Sequence, residues 1–322
     1  MSSQTAKDVA FISVKNLFVA SERPSSWFKL FHPSAAPRAI LSNVSFTVPQ
    51  GFHGTVYGHE GAGKTVLLRT LTGVIRPSRG TVLVNGRPPR EHARSLAAGY
   101  VSSEESEPRT ETGHAILSAY GATHRLPQAA ARISMLTDAL AMNSFIHLPA
   151  GTFSTGERLR LNLARAALSD TPLVLLDDVA DQLGADTLTA LLPPLFSGRT
   201  LLVATRRYRT AERLGLPLLL LHRGTLTHFG TLEEVANELS CPRLIDVWIE
   251  GLRYDLLRSV RRHGGVLEAR LIPSSQFSGQ RLRITLRSVR YLPSLYDLIS
   301  QAPIIQVREL PPSLQDIIAR LT

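Results

Sequence analysis

The stretch Thr55-Val56-Tyr57-Gly58-His59-Glu60-Gly61-Ala62-Gly63-Lys64-Thr65 decides how the rest of this 322-residue chain is read. Residues 58–65 match G-x-x-x-x-G-K-[ST] in full. A short apolar strand precedes them, and a segment with helical spacing follows, with Val66, Leu67, Leu71 and Val74 apolar. The residue types follow from chemistry. Glycines let the backbone bend so that successive N–H groups aim at phosphate oxygens. A helix starting at Lys64 adds partial positive charge at its N-terminus. The Lys64 amine can reach the outer phosphates, and the Thr65 hydroxyl can ligate Mg²⁺. The candidate phosphate-binding residues are therefore Gly58, His59, Glu60, Gly61, Ala62, Gly63, Lys64 and Thr65.

A phosphate loop of this kind needs a distant carboxylate, and Leu173-Val174-Leu175-Leu176-Asp177-Asp178 supplies one. Four consecutive apolar residues read as a strand buried on both faces. Asp177 at its C-terminal end stands on the Mg²⁺ side, which makes Thr65 and Asp177 the candidate metal ligands. Two more apolar runs, Thr200–Thr205 and Leu218–Leu221, alternate with helical patterns, so a parallel sheet with flanking helices is expected. Nearer the N-terminus, Phe11–Val14 and Val44–Val48 read as strands around a Ser/Pro-rich loop from Ser21 to Arg38. Thr81–Val84 followed by Asn85-Gly86 predicts a hairpin. Thr231-Leu232-Glu233-Glu234 is a capping box opening a short helix. After Pro242 the order is strand, helix, strand, strand, helix, strand and a final helix, a ferredoxin-like sequence of elements.

Between loop and strand lies Phe153-Ser154-Thr155-Gly156-Glu157-Arg158, in which Ser154 and Glu157 form an S-x-x-E helix start. This segment also resembles the signature motif of ABC ATPases, at that family's usual short distance before the acidic strand. All three motifs stand in the family's order, and the resemblance covers about residues 8–240. It implies a phosphate-loop α/β core with an antiparallel β subdomain and a helical subdomain carrying the signature. It also implies head-to-tail dimers with ATP and Mg²⁺ held between one subunit's phosphate loop and Ser154, Thr155, Gly156 and Glu157 of the other. Residues 1–240 would form the nucleotide-binding domain, and residues 241–322 a small regulatory or dimerisation domain. The ending Pro312–Ile318 is similar to that of ATPase subunits of ABC-2 type exporters. The Ser21–Arg38 insertion is similar to one in polysaccharide-exporting relatives.

Four positions depart from the family's hydrolytic pattern. The glutamine that senses the metal aligns with Ser103, which is too short to reach; Glu104 or Glu105 could substitute only through a register shift. The catalytic glutamate aligns with Asp178, one methylene shorter, and a general base must lie within hydrogen-bond reach of its water. The aspartate that follows aligns with Gly184. The switch histidine aligns with Arg206, which is permanently charged and cannot relay a proton. Asp178, Arg206 and Ser103 are thus the candidate catalytic residues of a site whose binding parts are intact and whose hydrolytic parts are altered. The family's adenine-stacking aromatic would be Phe18, Trp27, Phe28 or Phe31.

The resulting expectation is the ATP-binding, energy-coupling subunit of an ABC-type exporter with a slow site of its own. Its partners would be an integral membrane permease and a second ATP-binding subunit. It would sit in the cytoplasm, peripheral on the inner face of the membrane. The alternative is a non-hydrolysing regulatory or scaffold ABC protein. Composition agrees with a globular chain, 43% hydrophobic and 19% charged. No run of 18 apolar residues is present, so no membrane span is expected, and the N-terminus lacks the layout of a secretory signal. The lone Cys241 cannot form an internal disulfide. The net charge of +10 comes from scattered arginines without an aromatic-basic cluster, so no nucleic-acid partner is expected. The ten histidines are dispersed and form no metal cluster.

Overall fold

Alternation along the apolar strands decides which way each side chain points. In Leu173–Asp177, Leu173 and Leu175 enter one hydrophobic cluster while Val174 and Leu176 enter another. Leu202 and Ala204 against Leu201 and Val203 repeat the division in Thr200–Thr205. A sheet covered on both faces is the result, as continuous apolar runs require. The computed structural model describes residues 10–21, 38–92, 98–102, 110–273 and 279–321.

Its elements are β1 (Ile12–Ala20), β2 (Ala39–Val48), β3 (His53–Tyr57), α1 (Lys64–Leu71), β4 (Arg79–Val84) and β5 (Ala98–Ser102). Helices α2 (Gly113–Thr123), α3 (Ala129–Ala139) and α4 (Thr155–Leu168) follow. Then come β6 (Leu173–Asp177), α5 (Val179–Leu183), α6 (Ala185–Phe196), β7 (Thr200–Thr205), α7 (Tyr208–Leu214), β8 (Leu218–His222) and β9 (Thr225–Gly230). The last part comprises α8 (Leu232–Glu238), β10 (Arg243–Ile249), α9 (Tyr254–Arg262), β11 (Val266–Ile272), β12 (Gln280–Leu286), α10 (Leu292–Ile299), β13 (Ile304–Leu310) and α11 (Leu314–Leu321).

A six-stranded sheet runs β5-β6-β7-β3-β8-β9, with the first four neighbouring pairs parallel. An antiparallel sheet β2-β1-β4 shares the cluster that buries Leu67, Leu68 and Leu71 of α1. Helices α2, α3 and α4 pack in the cluster on the opposite face. These are the expected α/β core, antiparallel subdomain and helical subdomain. The Asn85-Gly86 turn forms, with φ of 48° and 74° and Val84 N–H donating to Arg87 O at 2.8 Å. The predicted hairpin stops at that single bridge, and β4 pairs with β1 instead. Pro88 and Pro89 follow directly and have no N–H with which to continue a ladder.

Contacts divide the chain into Met1–Phe229 and Gly230–Thr322. The second unit has the antiparallel sheet β11-β12-β10-β13 with α9 and α10, the ferredoxin-like arrangement expected from the element order. Its core is Ile245, Val247, Ile249, Leu282, Ile284 and Leu286 with residues of both helices. Asp246 alternates with that core and is fully buried, held by Arg281 and Arg283 from β12.

Candidate active site

Gly63 caps α1 at φ 98° and ψ 8°, and Gly61 stands at φ 74°. A Cβ on Gly63 would lie 2.6 Å from Leu41 Cδ2, so the loop's closeness to β2 depends on that glycine. The turn leads the backbone into α1 with Lys64 as its first residue. Lys64 is buried, and its amine donates to Gly58 O at 2.8 Å and His59 O at 3.1 Å, straddling the loop. Burial pulls its pKa below the ordinary lysine value; Asp178 and Asp177 oppose that pull, and Arg206 adds to it. Thr65 follows on the same turn, half-buried.

Asp177 shares the face of Leu173 and Leu175, which is the α1 side of the sheet. Its Oδ2 accepts a 2.8 Å hydrogen bond from the Tyr100 hydroxyl, and its Oδ1 is buried without a partner among the described residues. Tyr100 stands opposite Leu175 in the β5–β6 ladder, so its ring falls on the same face. Burial pushes the Tyr100 phenol up to about 12; Asp177 adds to the rise and Arg69 opposes it. Tyr100 is therefore a neutral donor that orients the carboxylate. Sequence reading missed it, although alternation from Asp177 and the strand pairing identify it.

Asp178 turns into α5 through a left-handed φ of 55°, and its N–H donates to Ala204 O at 3.2 Å. Its buried Oδ1 also has no partner among the described residues. Burial raises its carboxyl pKa, and Asp177 raises it further against the pull of Lys64. The structure thus places Lys64, Asp177 and Asp178 in one electrostatic cluster with Asp181 and Arg206.

Asp181 is a second residue that sequence reading gave no role. Its Oδ1 accepts from the Thr205 hydroxyl at 2.7 Å, and its Oδ2 from Arg206 N–H at 3.3 Å. It thereby fixes the end of β7, where Arg206 departs. The Arg206 guanidinium lies 3.4 Å from Glu60 Oε2, so the Glu60 side chain, read as phosphate-binding, is turned to Arg206. Gly184 adopts φ 88° and ψ 140°, a region almost reserved for glycine. Ser103, Glu104 and Glu105 lie outside the described residues, as do Trp27, Phe28 and Phe31. Phe18 is half-buried on β1 with the Arg79 guanidinium 6.0 Å from its ring centre. It does not line the cleft of about 730 Å³ beside the loop, which His59, Glu60, Gly61 and Ala62 share with Arg38, Ile40 and Arg223.

The Ser154 segment stands at the start of α4 and is bonded within itself. Ser154 N–H and hydroxyl each lie 2.7 Å from Glu157 Oε2, and Glu157 N–H donates to Ser154 Oγ at 3.3 Å. These bonds hold the Glu157 carboxyl below its usual pKa. Thr155 accepts from Arg158 at 3.3 Å, and a Cβ on Gly156 would meet open space. The helix start thus presents backbone N–H groups at an accessible surface.

Residues 41–181 match the sequence model of the family described as ABC transporter. The chain carries an ABC transporter ATP-binding domain. It is similar to the ATP-dependent lipid A-core flippase of Burkholderia orbicola, 31% identical over 64% of this chain and 36% of the flippase. An uncharacterized ABC transporter ATP-binding protein of Methanocaldococcus jannaschii is 25% identical over 65% of this chain and 78% of its own length. A Clostridium perfringens subunit of an ABC transporter complex superposes with a TM-score of 0.59 at 17% identity, covering 79% of this chain and 96% of that one. The chain therefore spans about a third of the flippase's length. The matched residues hold the phosphate loop, the Ser154 segment and the Asp177 strand in the order read from the sequence. Among the described residues no helix is long and apolar enough to cross a membrane.

Proposed function

We propose that this chain is the ATP-binding, energy-coupling subunit of an ABC-type exporter, and that its own site binds ATP well and hydrolyses it slowly. The observation carrying the reading is the cluster at the end of the parallel sheet. A buried Lys64 amine lies under the loop, with two carboxylates whose buried Oδ1 atoms lack partners among the described residues. A divalent cation suits such oxygens. Thr65 and Asp177 would hold Mg²⁺, which would neutralise charge on the phosphates. The loop's N–H groups and Lys64 would bind the phosphate chain, and Tyr100 would keep Asp177 aimed. In a head-to-tail dimer, the α4 start of a second subunit would add Ser154 and the N–H groups around Gly156.

Slow turnover follows from Asp178. Its carboxylate is one methylene shorter than glutamate, and a shortfall near 1 Å in placing a base can cost about 10²-fold. Arg206 can hold phosphate charge but cannot exchange a proton. The permease, the second ATP-binding subunit and the membrane location belong to this proposal. Closure of the dimer around ATP would supply the work through its differential affinity for open and closed states. Export rather than import is supported by the Pro312–Ile318 ending and by the Ser21–Arg38 insertion. We place the chain as the degenerate half of a heterodimeric pair. Turnover measured alone and with a candidate partner ATPase tests this: partner-restored turnover supports it, and a stable, fully active homodimer overturns it.

A further inference from the structure

Away from the nucleotide cluster, a cavity of about 470 Å³ opens between the end of α1, the loop into β4 and the turn after it. Arg76, Arg79 and Arg90 line it, with Ile75, Val82 and Pro89 as apolar wall, and no carboxylate is among its lining residues. Among the described residues none of the three arginines is paired with an acid.

Two glycines build the rim. Gly73 stands at φ 80°, where a Cβ would be 2.9 Å from Arg90 N, so the Arg90 backbone is seated against it. Gly80, at φ 86°, leaves 2.3 Å between a notional Cβ and Asn16 O, which pins the start of β4 to β1. The Arg79 guanidinium rests over the Phe18 ring. Three arginines without acidic partners among the described residues line one apolar-walled cavity, a setting that suits a phosphate group, which accepts paired N–H donors. We infer that this cavity is a second anion site, separate from the phosphate loop, which takes the phosphate of an organic phosphate ester. The ester can belong to an anionic lipid headgroup or to a soluble metabolite, because the chemistry recognised is the same.

The test uses the full chain carrying Lys64→Ala, so that the phosphate loop no longer competes. Pyrophosphate binding is measured by calorimetry, and co-sedimentation is followed with phosphatidylglycerol/phosphatidylcholine and pure phosphatidylcholine vesicles. Binding of either probe should persist in this background. It should fall about tenfold or more in Arg76→Gln/Arg79→Gln/Arg90→Gln, and much less in Arg258→Gln/Arg261→Gln/Arg262→Gln, which removes equal charge elsewhere. Loss of vesicle binding confined to the first triple variant supports the lipid source. Pyrophosphate binding without vesicle binding supports the soluble source. Equal weakening by both triple variants, or no binding of either probe, overturns the site. All six arginines are exposed or half-buried, so both variants should fold, and circular dichroism checks this.

Discussion

Lys64 makes the sharpest case at the scale of single residues. Its amine is the buried cation nearest the loop carbonyls, so Lys64→Ala should lower ATP affinity at least about tenfold. Equilibrium binding checks this. Asp178 carries a pH signature. Its folded pKa is raised, chiefly by burial, so the group destabilises the fold once it is ionised. That penalty is absent below the ordinary carboxylate range and grows as pH rises through it. Asp178→Asn should therefore raise Tm at pH 8, with the gain shrinking as pH falls towards 4. A Tm gain that grew on acidification would contradict the assignment. The identity of Lys64, Asp177 and Asp178 was legible because each sits in a motif whose chemistry dictates its residue type. Tyr100 and Asp181 were not, because their roles come from strand register and from a contact between α5 and β7, which no local pattern records.

Elements show the same division between local and non-local causes. The two capping boxes, at Ser154 and Thr231, were readable because the cap and its partner are three residues apart, and both form with reciprocal bonds. Ser154→Ala should cost about 1 kcal/mol, the usual worth of a cap, measured by denaturant unfolding. The apolar runs gave the parallel strands, since covering both faces demands unbroken hydrophobicity. The Asn85-Gly86 hairpin failed for the opposite reason: the turn is local, but its continuation depends on N–H groups that Pro88 and Pro89 lack. Gly63 joins the two classes. Its place in the motif was evident, whereas its contact with Leu41 on β2 was not. Gly63→Ala combines a left-handed backbone with a close contact, and should destabilise by about 2–4 kcal/mol. Urea unfolding would show this, and a loss under 1 kcal/mol would mean the loop relaxes freely.

For the molecule as a whole, each of the two units has a core of its own. In the second, Asp246 is buried between Arg281 and Arg283. Burial pushes its pKa up, but hydrogen bonds from Arg283 and Arg281 outweigh that and leave it lowered. Stability from this group is present above the unfolded carboxylate pKa and is lost as pH falls through the lowered folded value. Asp246→Asn should cost about 3 kcal/mol, the low end for breaking a buried pair, because Arg281 and Arg283 keep 26% and 34% of their side-chain surface exposed. Calorimetry should show the variant's loss at pH 7 fading in acid. In the first unit an intact binding loop meets an altered hydrolytic set. The most direct test is ATP turnover of the purified chain and of Asp178→Glu, measured beside direct ATP binding. Tight binding by both is expected, with negligible turnover by the unmodified chain and a rise of about tenfold or more when the longer carboxylate restores reach. Brisk turnover by the unmodified chain, abolished by Asp178→Asn and not raised by Asp178→Glu, would contradict this.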